Sequence, residues 1–205
     1  MECYKCGAAL GKEAFCPACG ADVKLYKKII HSSNQCYNEG LEQARVRDLS
    51  GAAASLRRSL KYYKGNIPAR NLLGLVYFEM GETVDALGEW VISRSLHPEN
   101  NMAEKYLSSV QSNGNKLDSL NQTIKKYNQA LMYCRQDSKD LAVIQLKKVL
   151  GLNPRLVKGH QLLALLYMDE GQYELARRSL RNAAKIDNNN KTTIRYIREM
   201  NRKTQ

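Results

Sequence analysis

The residues best equipped for chemistry lie at the start of the chain. Cys3 and Cys6, then Cys16 and Cys19, form two C-x2-C pairs separated by nine residues, each followed by glycine (Gly7, Gly20). A pair at this spacing turns tightly enough to aim two sulfurs at one point. The glycine suits a positive φ that lets backbone amides face the thiolates. Nine intervening residues allow a short hairpin that returns the second pair to the first. Four thiolates satisfy the tetrahedral preference of Zn2+ and leave no position for water or substrate, so one structural ion per chain is expected rather than a catalytic one. Iron held as in rubredoxin and a redox-active dithiol remain alternatives. The first usually has a longer stretch between its pairs, and the second leaves one pair unexplained. Two further cysteines, Cys36 and Cys134, stand far away and are expected to be buried thiols. An even total of six permits disulfides, but two close pairs without an evident export signal read as metal spacing.

Cys3-x2-Cys6-Gly7 and Phe15-Cys16-Pro17-x-Cys19-Gly20 resemble the knuckles of the zinc-ribbon family, in the small form found at the N-terminus of many bacterial proteins. The resemblance covers roughly residues 1–23. So short a segment has no self-sufficient core, and its folding free energy is expected to come from the metal, about 10 kcal/mol or more. Four bound thiolates and a divalent ion would lower the formal charge of +12 to about +10.

The remaining elements follow a fixed period. Gly40 and Gly74 are 34 residues apart, as are Ala52 and Ala86, Leu56 and Trp90, and Ser59 and Ser93. The same interval separates Ala130 from Ala164, Tyr133 from Tyr167, Ala142 from Ala176, and Leu146 from Leu180. Small residues let two helix axes approach, larger ones fill the space between them, and Pro98 and Pro154 stop helices. This period and these anchors resemble the tetratricopeptide repeat, a helix–turn–helix unit. Four units are expected at about 33–66, 67–100, 123–156 and 157–190. The first departs most from the pattern, with Gln43 and Lys64 at the usual tyrosine and proline positions, so its first helix is expected to be irregular or packed against the ribbon. The register breaks between units two and three. A short helix is expected from Met102 to about Gln111, then a polar stretch, Ser112-Asn113-Gly114-Asn115, then a long helix from near Lys116 to about Cys134. Its continuous apolar stripe favours a bend over a free linker. A last helix, Thr192 to about Arg202, would close the array.

The expected fold is all-α: a tetratricopeptide-type solenoid of helical hairpins with a small N-terminal four-cysteine zinc ribbon. Its parts would be the ribbon at 1–25, a first lobe of two repeats plus an extra helix at 26–112, and a second lobe of two repeats plus a capping helix at 113–205.

The family resemblance implies a concave groove lined by the first helices of successive units. Mapped here, it offers Asn34, Tyr37, Asn38, Leu41 and Arg45, then Asn71, Leu72, Leu75, Phe78 and Glu79. The later units offer Tyr127, Asn128, Leu131 and Arg135, then Gln161, Leu162, Leu165, Met168 and Asp169. This mix suits a peptide or the apolar face of an amphipathic helix, unless the chain itself fills the groove. Tyr37, Asn71, Tyr127 and Gln161 stand where some relatives place lysines to grip a carboxylate, so that ligand class is not expected.

The formal charge of +12 is uneven: zero over residues 1–25, +5 over 26–66, −3 over 67–122, +4 over 123–154 and +6 over 155–205. A solvated helical surface accounts for most of it. The alternative to a protein-binding scaffold is nucleic-acid binding through the ribbon and a basic surface of Lys27, Lys28, Arg57, Arg58, Lys61, Arg177, Arg178 and Arg181. An enzyme is not expected. His31, His97 and His160 show no nucleophile–base pattern, and no phosphate-binding glycine loop, metalloprotease pair or dinucleotide fingerprint is present. With no run of 18 apolar residues and no basic-then-apolar start, a cytoplasmic protein is expected. Family members with a ribbon and repeats sometimes add a membrane segment. Beyond residue 205 the resemblance allows one, which would place the protein on the cytoplasmic face of a membrane.

Overall fold

A computed structural model describes residues 1–111 and 114–204. Ser112 and Asn113, within the expected polar interruption, lie outside the described residues.

The first 23 residues form two matching knuckles. In each, the glycine amide returns to the first cysteine's carbonyl, Gly7 to Cys3 and Gly20 to Cys16, both at 2.9 Å. The isolated bridges Glu2–Ala9 and Phe15–Asp22 close the two hairpins. A Cβ at Gly7 or Gly20 would meet nothing within 4 Å, so glycine is required there by φ values of +74° and +67° rather than by space. Val23 is fully buried with Cys3 and Cys16 in this small core. Its amide bonds Ala14 and its carbonyl accepts from Lys27, so the first helix grows directly from the second knuckle with no linker.

Among the described residues ten helices follow: α1 Lys24–Arg45, α2 Leu49–Tyr62, α3 Ile67–Glu79, α4 Thr83–Leu96, α5 Met102–Gln111, α6 Gly114–Arg135, α7 Lys139–Leu152, α8 Val157–Asp169, α9 Tyr173–Ile186 and α10 Lys191–Lys203. α1–α2, α3–α4, α6–α7 and α8–α9 pack as hairpins. Ala52, Ala86, Ala142 and Ala176 are fully buried where paired helices meet. In the second hairpin a Cβ at Gly74 would lie 2.2 Å from the Trp90 Nε1, so the indole fills the space that the missing side chain leaves. The turn between paired helices needs a left-handed residue once per unit. Arg47, Gly81, Asp137 and Gly171 fill that position, so two units do without glycine.

Of the two alternatives expected for the first repeat, irregularity or packing on the N-terminal module, the structure has the second: α1 is a regular helix of 22 residues that packs on the knuckles. Tyr26 makes edge contacts with Tyr4 at 5.4 Å and Tyr63 at 6.4 Å, and Lys27 donates to the carbonyls of Gly11 and Glu13. The position of the knuckles therefore comes from α1's first turns.

α5 seals the first pair of hairpins by burying Ala103, Leu107 and Val110 against Ala86 and Trp90. α6 begins at Gly114, two residues before the expected start near Lys116. α10 seals the second pair, with Met200, Tyr196 and Ile197 against the core of α6 to α9. The chain then folds back on itself. Val157 and Ala183 are buried in the core of α2 and α3, and the Met80 carbonyl accepts the Val157 amide at 3.2 Å. The Asn153 side chain donates to the Gly81 carbonyl at 2.8 Å, and the Asn188 amide to the Arg47 carbonyl at 3.1 Å. The inter-helix turns of the first two repeats thus rest on the ends of the last two. No helix among the described residues is long and apolar enough to cross a membrane.

Candidate metal centre and groove

The knuckles bring the sulfurs of Cys3, Cys6, Cys16 and Cys19 within 4.8 Å of one another. Cys3 Sγ lies 3.7 Å from Cys19 Sγ, and Cys6 Sγ 3.7 Å from Cys16 Sγ. A tetrahedron of Zn–S bonds near 2.3 Å has edges of about 3.8 Å, so these cross-knuckle separations fit one tetrahedral ion. All four thiols are free. Cys3 and Cys16 are buried while Cys6 is exposed, and the Lys5 amide points at Cys3 Sγ from 3.4 Å.

The sulfurs do not ionise alike. The Cys19 backbone amide chiefly, with the Ala18 amide and the Cys19 and Cys3 thiols, outweighs burial and pulls Cys16 down to about 6. At Cys6 the Ala8 amide also pulls down, but the neighbouring thiols and desolvation together outweigh it and push the group up to about 12. Four thiolates this close repel one another, and a divalent cation is what would let all four carry charge together. The donor set, its spacing and the amides aimed at it are compatible with a metal site.

The groove positions are spread over more than one cavity. Tyr37, Asn71, Leu72 and Leu75 line an open cleft of about 420 Å³ with Ile67, Met102 and Tyr106. Asn38 and Arg45 are exposed, Leu41 is half-buried, and Arg45 is paired with Glu42 on its own helix. Phe78 lines a different cleft, of about 430 Å³, with Val110, Leu120 and Leu152. Tyr127 and Asn128 line a third cavity, of about 190 Å³, facing Glu82 at the α3–α4 turn and its ion-pair partner Lys158 on α8, where burial raises the Tyr127 phenol's pKa. Leu131 and Leu165 are half-buried and Arg135 is exposed. Leu162 packs against the core of α6 to α10, and Met168 is buried inside it. Glu79 pairs with Arg155 at 2.7 Å, and Asp169 pairs with Lys139.

Three groove amides have internal partners. Asn66, Asn101 and Asn190 each accept amide hydrogens at the start of the helix that follows, α3, α5 and α10. Asn34 accepts from the Asn66 amide at 3.1 Å, Asn71 donates to Asn101 Oδ1 at 2.9 Å, and Gln161 donates to Asn190 Oδ1 at 2.9 Å. An amide on one repeat's first helix thus holds the cap of the helix that follows its hairpin. The recurrence of asparagine at 66, 101 and 190 was a signal for this that helix periodicity does not capture.

Of the basic candidates, Arg58 is paired with Glu39 at 2.7 Å, Arg177 with Glu174 at 2.9 Å, and Lys27 is committed to ribbon carbonyls. Cys36 is buried; Cys134 is half-buried, and desolvation raises its pKa. His31 and His97 are exposed, whereas His160 is buried with Nε2 2.9 Å from the Pro154 carbonyl oxygen.

Residues 157–190, the α8–α9 hairpin, match the family model of the tetratricopeptide repeat. No curated protein sequence matches the chain. Among solved structures, it is similar to the Cut9–Hcn1 hetero-tetramer of APC/C, with 16% identity over 82% of this chain and a TM-score of 0.37. A tetratricopeptide repeat protein from Parabacteroides merdae ATCC 43184 also has 16% identity, over 83% of this chain, with a TM-score of 0.37. MamA from Desulfovibrio magneticus RS-1 has 15% identity over 82% of this chain and a TM-score of 0.34. The chain spans 30% of the first of these, 59% of the second and 93% of the third.

Proposed function

We propose that this chain is a non-enzymatic tetratricopeptide-repeat scaffold that binds a peptide or amphipathic helix in the cleft between α1, α3 and α5. Its N-terminal module is read as a zinc ribbon. The repeat match at 157–190 and the helical hairpins at the same period support an interaction protein. The observation that carries the cleft is its lining: Tyr37, Leu72, Leu75, Met102 and Tyr106 present aromatic and aliphatic surface to an open space of about 420 Å³, with Asn71 and His97 at its polar edge. Apolar anchors entering such a pocket supply most of the affinity in helix-in-groove recognition. On α8 the groove position Met168 is buried in the core, so the first lobe is the favoured binding side.

In the ribbon, Cys3, Cys6, Cys16 and Cys19 would hold one Zn2+. With all four positions taken by sulfur, the ion supplies folding energy and no reaction chemistry. The direct continuation of Val23 into α1 supports a capping role for the ribbon on the first repeat.

Affinity capture from cell lysate at low and high salt, with nuclease treatment, tests the scaffold. Recovery of a protein partner regardless of salt and nuclease, and its loss with Leu72→Asp/Leu75→Asp, is the expected result. Capture abolished by nuclease would instead support nucleic-acid binding.

A further inference from the structure

A second cavity, sharing no residue with the Tyr37 cleft, lies between α7, α8 and α9 and has a volume of about 420 Å³. Lys147 enters it from α7, and Arg178 and Asn182 enter it from α9. Neither the Lys147 ammonium nor the Arg178 guanidinium is in an ion pair among the described residues, and no carboxylate lines the cavity. The acid nearest in sequence, Glu174, is paired with Arg177 at 2.9 Å. The floor is apolar: Leu163 and Leu175, with the buried Tyr167 ring, over which the Lys147 Nζ sits 5.9 Å from the centroid. His160 is buried at the wall, its Nε2 committed to the Pro154 carbonyl. The surrounding lobe, residues 123–205, carries a formal charge of +10, which favours the approach of anions.

Two free cations over an apolar floor suit a ligand that is anionic at one end and apolar at the other. A dianion exploits both charges, and the planar fork of an arginine matches phosphate oxygens, with lysine as a second point charge. The space exceeds what a bare phosphate ion fills and falls within the range of small-ligand pockets. We propose that this cavity binds a small organic phosphate, with Arg178 and Lys147 on the phosphate group and Leu163, Tyr167 and Leu175 against the apolar part. The proposal is independent of the peptide cleft.

The test is a titration of the full chain with phenyl phosphate, inorganic phosphate and phenol at matched ionic strength, followed by calorimetry and by the amide resonances of Lys147, Arg178 and Asn182. Phenyl phosphate is expected to saturate one site about tenfold more tightly than inorganic phosphate, with phenol weaker than either. Lys147→Gln/Arg178→Gln should weaken it at least about tenfold, since hydrogen bonds to charged groups are lost. Both side chains are exposed, so folding is preserved. Lys28→Gln/Lys61→Gln removes the same charge from exposed positions elsewhere and should leave binding unchanged. The proposal is overturned if phenyl phosphate binds no better than phosphate, if the cavity variant binds as well as the parent, or if the control variant loses as much.

Discussion

The carboxylate of Asp187 caps a helix that begins 138 residues earlier: its Oδ1 accepts the Leu49 amide at 2.9 Å and the Ser50 amide at 3.2 Å, while Oδ2 accepts from Asn190. The group is fully buried at the junction of α9 and α2. Removing it strands donors in the interior. Asp187→Ala is therefore expected to destabilise the fold by about 2–3 kcal/mol, and Asp187→Asn, which keeps one acceptor oxygen, by less. Urea denaturation followed by circular dichroism measures both; a loss within about 0.5 kcal/mol for alanine, the range of an ordinary surface change, would refute the role.

Gly81 and Gly171 occupy equivalent turns with φ of +77° and +72°, yet they have different surroundings. A Cβ at Gly81 would lie 2.6 Å from the Leu156 backbone nitrogen, whereas one at Gly171 would meet nothing within 4 Å. Gly171→Ala should cost only the left-handed strain, about 1–2 kcal/mol. Gly81→Ala should cost about 1–3 kcal/mol more, because two backbones must separate. Equal losses in chemical denaturation would mean that the two lobes do not press together at this turn.

Metal analysis of protein purified anaerobically without a histidine tag should find one equivalent of zinc per chain. Chelation is expected to unfold residues 1–23 and to increase hydrogen exchange at the amides of Lys24 to Lys28, because α1 starts from Val23 in the ribbon core. Less than half an equivalent of metal, or unchanged exchange after chelation, would contradict the centre and its coupling to α1, respectively.

Burial depresses the His160 pKa below its usual 6.5, with the Pro154 carbonyl opposing that shift. The unfolded chain binds the proton more readily, so this contribution is fully present above about pH 6.5 and is lost as the pH falls below it. Melting temperature should drop between pH 7 and 5, and His160→Gln should lessen that slope. An identical pH profile for the variant would exclude His160 as its source.

Much of this architecture could be read from local patterns. The small residues at 52, 86, 142 and 176 mark where helices cross, and helix α5 was expected over the range it occupies. The C-x2-C spacing likewise anticipates sulfurs gathered at one point. The groove was less legible. Periodicity places Asn71, Tyr127 and Gln161 at equivalent positions, with Met168 two turns after Gln161, but does not say what lies against each of them. Asn71 and Gln161 hold neighbouring helix caps, Met168 is buried, and Tyr127 faces the α3–α4 turn.

Local chemistry alone determined the hairpins, their 34-residue spacing and the two cysteine knuckles, because backbone turns and apolar stripes depend on residues a few positions apart. The closure of the chain on itself was decided by tertiary structure. Asp187 meeting Leu49, Val157 entering the first lobe's core and Leu156 pressing on Gly81 are encounters between distant segments. Their energies depend on how the lobes are oriented after the register break, and no short-range pattern encodes that orientation. The same orientation divides the groove positions among separate cavities.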